Sequence, residues 1–289
     1  MRGFAMVLVI LQHSYLSADM KSIPPLFDFF TWNVTGLAAV AFVSISGMMY
    51  SYFLYTHTHW RLAYRRYARR AAFLILAVHP VINLSSYYFN AAGHGGSAGS
   101  FTFLDQILLN FPITDMIAVC LLVASVFVIG LSPFQRAVAI VTMLVSDVLF
   151  RAFVLPEEPH WAIIQEATFG GLGLPKVFWF PLIPWLAIFL TGSFAGYALA
   201  CLKKGALDIS ALVRGMKNVG IILAVCGVVL TIGYKMLKIA FGGDWSPNLF
   251  LAIYPGQTTT LLPVYLALLA LLFAALVQRM DISGRYNRL

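Results

Sequence analysis

The chain has 289 residues, of which 61% are hydrophobic and only 10% charged, and it carries a net charge of +8 at pH 7. A soluble domain holds about 25% charged residues, so this composition excludes an ordinary soluble fold and points to a polytopic membrane protein. The basic balance does not imply a nucleic-acid partner, because the cations sit in short clusters between apolar runs and form no patch on a water-facing groove.

Eight apolar runs approach the length a bilayer requires: about 3–18, 32–54, 70–89, 113–131, 136–154, 178–201, 218–240 and 258–278. The first is short and has no small-residue cleavage site, so it is expected to remain as a span rather than be removed as a signal peptide. It carries Arg2 at one end and His13 eleven residues later. Eleven residues are three helical turns, which places both side chains on one face, about 16 Å apart along the axis. Arg2 falls at headgroup level, where it serves equally well as a topology anchor. His13 falls near mid-membrane or in the outer half, where an ionisable side chain faces the bundle interior or a wet cavity. Two uses stay open for it: a neutral hydrogen-bonding group between helices, or a general base.

The second run contains "FVSISGMMY", in which Ser44, Ser46 and Gly47 form a small, polar helix face that admits a close backbone approach. His57 and His59 follow in "THTHW", with no cysteine or further histidine nearby to complete a tetrahedral metal site. In "WRLAYRRYARR" Arg61, Arg65 and Arg69 recur every four residues, with Arg66 and Arg70 beside them. That is more cation than an anchor needs, and guanidinium forks match phosphate oxygens; anionic lipid headgroups would satisfy them equally. The segment "AAGHGGSAGS" (91–100) lacks the Gly-Lys-Ser/Thr ending of a phosphate-binding loop and is taken, with His94, as a connector.

The fourth run opens with "NFPITDM", where Asp115 either caps the helix with Thr114 or orients an imidazole across the bundle. Asp147 and Arg151, four apart in the fifth run, are expected to neutralise one another. The sixth, "FWFPLIPWLAIFLTGSFAGYAL", joins an interfacial belt of Trp179 and Trp185 to Gly192 and Gly196 at the spacing of a tight helix contact. Cys120, Cys201 and Cys226 lie inside apolar runs without paired spacing, as free thiols. No linker or repeat divides the chain, so a single domain over residues 1–289 is expected.

Placing the N-terminus in the cytoplasm leaves only Lys21, Arg151, Lys176, Lys235 and Lys238, of 19 cations, outside or in outer helix halves. Lysine and arginine are retained on the cytoplasmic side, so an all-α bundle of about eight spans with both termini cytoplasmic is predicted.

"RGFAMVLVILQHS" resembles the first helix of the transmembrane acyltransferase superfamily, with its arginine and histidine eleven apart. "AFVSISG" is similar to the second helix of that superfamily, and "YRRYARR" to the arginine tract that follows. "FPLIPWLAIFLTGSFAGYAL" resembles the heparan-alpha-glucosaminide N-acetyltransferase-like (YeiB-like) branch more than the related acyltransferase-three branch. The resemblance implies an acyl-CoA donor, acetyl-CoA first, entering from the cytoplasm, and a carbohydrate or glycolipid hydroxyl or amine as acceptor on the far side. It also implies His13 as the catalytic base, Arg2, Arg65, Arg66, Arg69 and Arg70 at the donor end, and Ser46, Gly47 and Asp115 in support. A bacterial cytoplasmic (inner) membrane is the implied location, with membrane lipid as a further partner and a homodimer among the open oligomeric states. Two departures stand out: Met1 precedes Arg2 directly, and "DISGRYNRL" stops where relatives continue into a further helix or two. A chain shortened at both ends is the expectation.

The chemistry asks for little more. A thioester is already activated, so the protein need only bring an acceptor to it, remove a proton and stabilise an oxyanion, with no metal and no bound cofactor. Backbone amides, Ser46 and Trp185 are all candidate oxyanion donors. Two rival classes use the same features: a transporter with an intramembrane His/Asp relay, which would show corresponding halves or paired broken helices, and a non-catalytic, degenerate acyltransferase-like protein.

Overall fold

The computed structural model describes Val7 and residues 25–89, 112–153, 159–169, 180–240, 252–254, 257–258 and 262–282. Within these, the architecture is helical: α1 (Pro25–Thr56), α2 (Trp60–Phe73), a π-helical segment (Leu74–Val78), α3 (His79–Phe89), α4 (Ile113–Gly130), α5 (Pro133–Phe153), α6 (Pro159–Thr168), α7 (Leu182–Lys203), α8 (Ile209–Ala240) and α9 (Leu262–Ile282). A small antiparallel pair, β1 (Ala252–Tyr254) and β2 (Gln257–Thr258), lies between α8 and α9.

Four helices among the described residues are long and apolar enough to cross a bilayer: Leu37–Thr56 of α1, Ile113–Gly130, Leu182–Lys203 and Ile209–Val229 of α8. The chain is an integral membrane protein. The runs expected at 70–89 and 136–154 are helical as well, but the helix through the first begins at Trp60 with the arginine tract, and α5 carries Arg136, Asp147 and Arg151. The first apolar run, apart from Val7, lies outside the described residues. Helix α6 falls in a stretch expected to be loop and opens with Pro159, whose fixed φ suits a first helical turn.

The core is the crossing of α1 with α7. Gly47, Gly192 and Gly196 stand where the two backbones touch, so a Cβ on Gly192 would lie 1.9 Å from the Ser44 carbonyl oxygen, and one on Gly47 1.9 Å from that of Phe189. Glycine is required there by contact, not by conformation. Around the crossing, Tyr50, Met116, Trp185 and Phe189 are buried, and α4 and α5 complete one body. The α8–α9 hairpin closes on Phe273, Ala274 and Val277 and leaves Ile221, Val225, Val228 and Ile232 exposed, as suits helices facing lipid. An apolar cavity of about 300 Å³ separates that hairpin from the main body, lined by Ser44, Met48, Gly192, Phe194, Met216 and Phe273.

Overpacking a fitted contact costs about 1–3 kcal/mol, and here a backbone must move. Gly192→Ala is therefore expected to lower the melting temperature in detergent clearly, whereas Gly130→Ala, with open space around its Cβ, leaves it nearly unchanged. Equal melting of the two variants would contradict a backbone-limited crossing.

Candidate active site

Helix α2 buries Ala63, Tyr67 and Ala71 at four-residue spacing, and its tyrosines fasten it on two sides. Tyr67 donates to the Met49 carbonyl of α1 at 3.2 Å and stacks on Tyr50 at 4.7 Å, while Tyr64 donates to the Leu122 carbonyl of α4 at 3.4 Å. That anchoring sorts the arginines. Arg66 and Arg70 line a pocket of about 140 Å³ at the end of α1, with Phe53, His57, Ala63 and Tyr67. Arg65 and Arg69 do not line it, although all four of these arginines are exposed. The regular row of Arg61, Arg65 and Arg69 drew attention in the sequence, but the pocket takes the pair beside it. His57, unsuited to a metal site, joins that pair.

The structure brings together a second polar group that the sequence analysis missed. His79 Nδ1 pairs with Asp115 Oδ2, and the Asn83 amide nitrogen lies 3.2 Å from His79 Nε2 and 3.4 Å from Nδ1. Asp115 keeps 1% of its side chain exposed and His79 16%. Of the two uses the sequence allows for Asp115, capping is not what the carboxylate does: Pro112 is the N-cap and accepts the Asp115 backbone N–H at 3.0 Å. The carboxylate reaches across to α3.

The placement of His79 follows from its neighbour. Pro80 has no N–H and its ring clashes with the carbonyl four residues back, so the helix widens just before it. The π-helical turn Leu74–Val78 results, in which the His79 N–H bonds to the Leu74 carbonyl five residues back. A π-bulge inserts one residue and turns everything after it by about 100°. "AVHPVIN", a histidine before a proline inside an apolar run, was the available signal.

Arg136 was counted among the cytoplasmic anchors, yet it is fully buried. Its Nη2 donates to the Val128 carbonyl and to Tyr55 Oη, both at 2.8 Å, and its Nη1 to Ser193 Oγ at 3.1 Å. The guanidinium also lies 5.5 Å from the Phe194 ring centre. Val128 belongs to the last turn of α4, whose carbonyls lack intrahelical partners and carry the negative end of the helix dipole. A loop of two residues, Leu131 and Ser132, leaves Arg136 in the first turn of α5, facing that end.

The remaining expected site residues fall as follows. Arg2 and His13 lie outside the described residues. Ser46 Oγ donates to the Phe42 carbonyl of its own helix at 2.8 Å, so that hydroxyl is occupied. Gly47 belongs to the α1–α7 contact. Trp185 Nε1 is buried and has no hydrogen-bond acceptor among the described residues.

A family model described as "Heparan-alpha-glucosaminide N-acetyltransferase, catalytic" matches residues 1–228, a stretch that holds α1 to α7, the pocket and the His79–Asp115 pair. No curated protein and no solved structure matches the chain.

Removing one partner of a buried, charge-assisted hydrogen bond costs about 1.5–3 kcal/mol. Arg136→Met should accordingly lower the melting temperature in detergent, because it strips the end of α4 of its donors. A variant that melts with the wild type would show that another group closes that helix end.

Proposed function

We propose that this chain, which belongs to the heparan-alpha-glucosaminide N-acetyltransferase catalytic family, acts as a membrane acetyltransferase that takes its acyl group from cytoplasmic acyl-CoA. The group passes to a sugar or glycolipid hydroxyl or amine on the opposite side. The observation that carries the donor half of this reading is the α1–α2 pocket, where Arg66, Arg70 and His57 converge beside Phe53 and Tyr67. Two guanidinium forks bind phosphate oxygens, and flanking rings suit the flat face of a nucleotide base. Lipid headgroups would be met by arginines on any face of α2, whereas the pocket takes Arg66 and Arg70 and leaves Arg65 and Arg69 outside it.

In this reading the helices form a bundle of about eight spans with both ends in the cytoplasm of a bacterial cell, the arginine tract at the cytoplasmic mouth. His13, in the first span, takes the proton of the attacking hydroxyl or amine, and Arg2 stands three turns below it at the donor end. The thioester supplies its own activation, so positioning and proton transfer are the work left to the protein.

The test separates the two arginine pairs. Acetyl-CoA binding to purified protein in detergent should be saturable and weaken with salt. Arg66→Gln with Arg70→Gln should weaken it by roughly tenfold or more, since each charge-assisted hydrogen bond is worth about 1.5–3 kcal/mol. Arg65→Gln with Arg69→Gln should change it little. Equal effects of both pairs would reduce the tract to a general electrostatic anchor, and no saturable binding by the wild type would overturn the donor assignment.

A further inference from the structure

Arg61, Arg65, Arg69 and Phe73 repeat every four residues and form one row down α2. All four are exposed. The buried row of the same helix, Ala63, Tyr67 and Ala71, starts two residues later, and two residues are about 200° of helical rotation. The arginine row therefore points away from the protein. Arg66 and Arg70 fall between the two rows, which is why the pocket takes them and not Arg61, Arg65 or Arg69.

The row also marks a depth. Trp60, 42% exposed, precedes it, with the Arg61 guanidinium 5.6 Å from its ring centre. Phe73, 63% exposed, lies about 6 Å beyond Arg69 along the axis. Past it Leu76, 77% exposed, Val81 and Leu84 are turned outward, and residues 71–104 contain no Asp, Glu, Lys or Arg. Apolar side chains turned outward on a membrane helix meet lipid tails, and tryptophan collects at headgroup level. The three arginines thus stand where headgroups give way to hydrocarbon. No protein anion answers them there: residues 29–104 contain no aspartate or glutamate, and among the described residues no carboxylate forms an ion pair with Arg61, Arg65 or Arg69. Like charges four residues apart repel, and these three share about 12 Å of helix.

We propose that the Arg61–Arg65–Arg69 row is a binding site for the headgroup phosphates of anionic phospholipids, separate from the pocket and independent of the acyl-CoA reading. Guanidinium forks match the phosphate oxygens, and the lipid chains run along Phe73, Leu76 and Val81. A soluble phosphate gains only from the arginines, whereas a lipid gains from both halves of the row. A zwitterionic headgroup brings its own ammonium near the guanidiniums, so a headgroup of net negative charge is the one preferred. The arginine tract is then divided by helix face, Arg66 and Arg70 to the pocket and the row to the bilayer.

To test it, the purified full chain in non-ionic detergent is titrated with phosphatidylglycerol or with phosphatidylcholine of the same chains, and bound lipid is counted by native mass spectrometry. The wild type should bind phosphatidylglycerol about tenfold or more tightly than phosphatidylcholine, a preference that shrinks with salt. Arg61→Gln with Arg65→Gln and Arg69→Gln should bring the two lipids to within about twofold, without lowering the melting temperature in lipid-free detergent. Arg61→Lys with Arg65→Lys and Arg69→Lys keeps the charge and should keep most of the preference. Arg66→Gln with Arg70→Gln should leave it as in the wild type. Equal affinity of the wild type for both lipids overturns the proposal, as does a preference that survives in the glutamine row variant or is lost in the lysine one. Loss of the preference in the pocket variant instead would move the lipid to the pocket and overturn it too. Complete displacement of phosphatidylglycerol by millimolar inorganic phosphate would show a soluble-anion site and overturn the lipid assignment.

Discussion

The contact on which the rest of the molecule depends is the approach of α1 to α7 at backbone distance. Lipid tails are as apolar as the helix faces, so membrane helices gain little by hiding hydrophobic side chains from one another and associate through close van der Waals packing. Gly47, Gly192 and Gly196 permit that packing by carrying no Cβ where the partner's carbonyls lie. Two polar contacts are hung on this frame. Tyr55 and Ser193, one from each helix, hold Arg136, which caps α4; Met49 of α1 receives Tyr67, which fixes the rotation of α2. Changing the crossing would move Arg136 and the pocket arginines together.

The two buried polar clusters are resolved in different ways. Arg136 spends both terminal nitrogens on Val128, Tyr55 and Ser193, while its Nε has no partner among the described residues, and a helix C-terminus supplies the compensating negative charge. His79 meets both Asp115 and the Asn83 amide, and one Asp115 oxygen has no partner among the described residues.

Much of the helix plan was legible in the sequence, for a simple reason. A bilayer demands runs of about 20 apolar residues, and length is written along the chain without reference to tertiary contacts. Expected runs at 113–131, 136–154 and 178–201 lie within a few residues of α4, α5 and α7. Gly192 and Gly196 were also legible, since their spacing carries its own mechanism. What the sequence could not display was rotation. Arg61, Arg65 and Arg69 form the more regular row, yet Tyr64 and Tyr67 dock α2 so that Arg66 and Arg70 meet the pocket. Arg136 looked like an anchor because the positive-inside rule counts charges by side and ignores which face of the helix they occupy. His79 went unnoticed because its partner lies 36 residues away and its orientation depends on a π-helical turn caused by Pro80. For Arg2 and His13 the sequence remains the source of the assignment.

The proposed reaction joins a donor pocket at one end of α2 to an acceptor reached from the other side. Its central claim is that an acyl group crosses the bundle. Vesicles containing the purified chain, with [14C]acetyl-CoA supplied only on the face that exposes the arginine tract and a glucosaminide sealed on the other, test that directly. Labelled acceptor should accumulate behind the membrane while the acetyl-CoA stays in front. Label appearing only when donor and acceptor share one compartment would contradict transfer across the bundle.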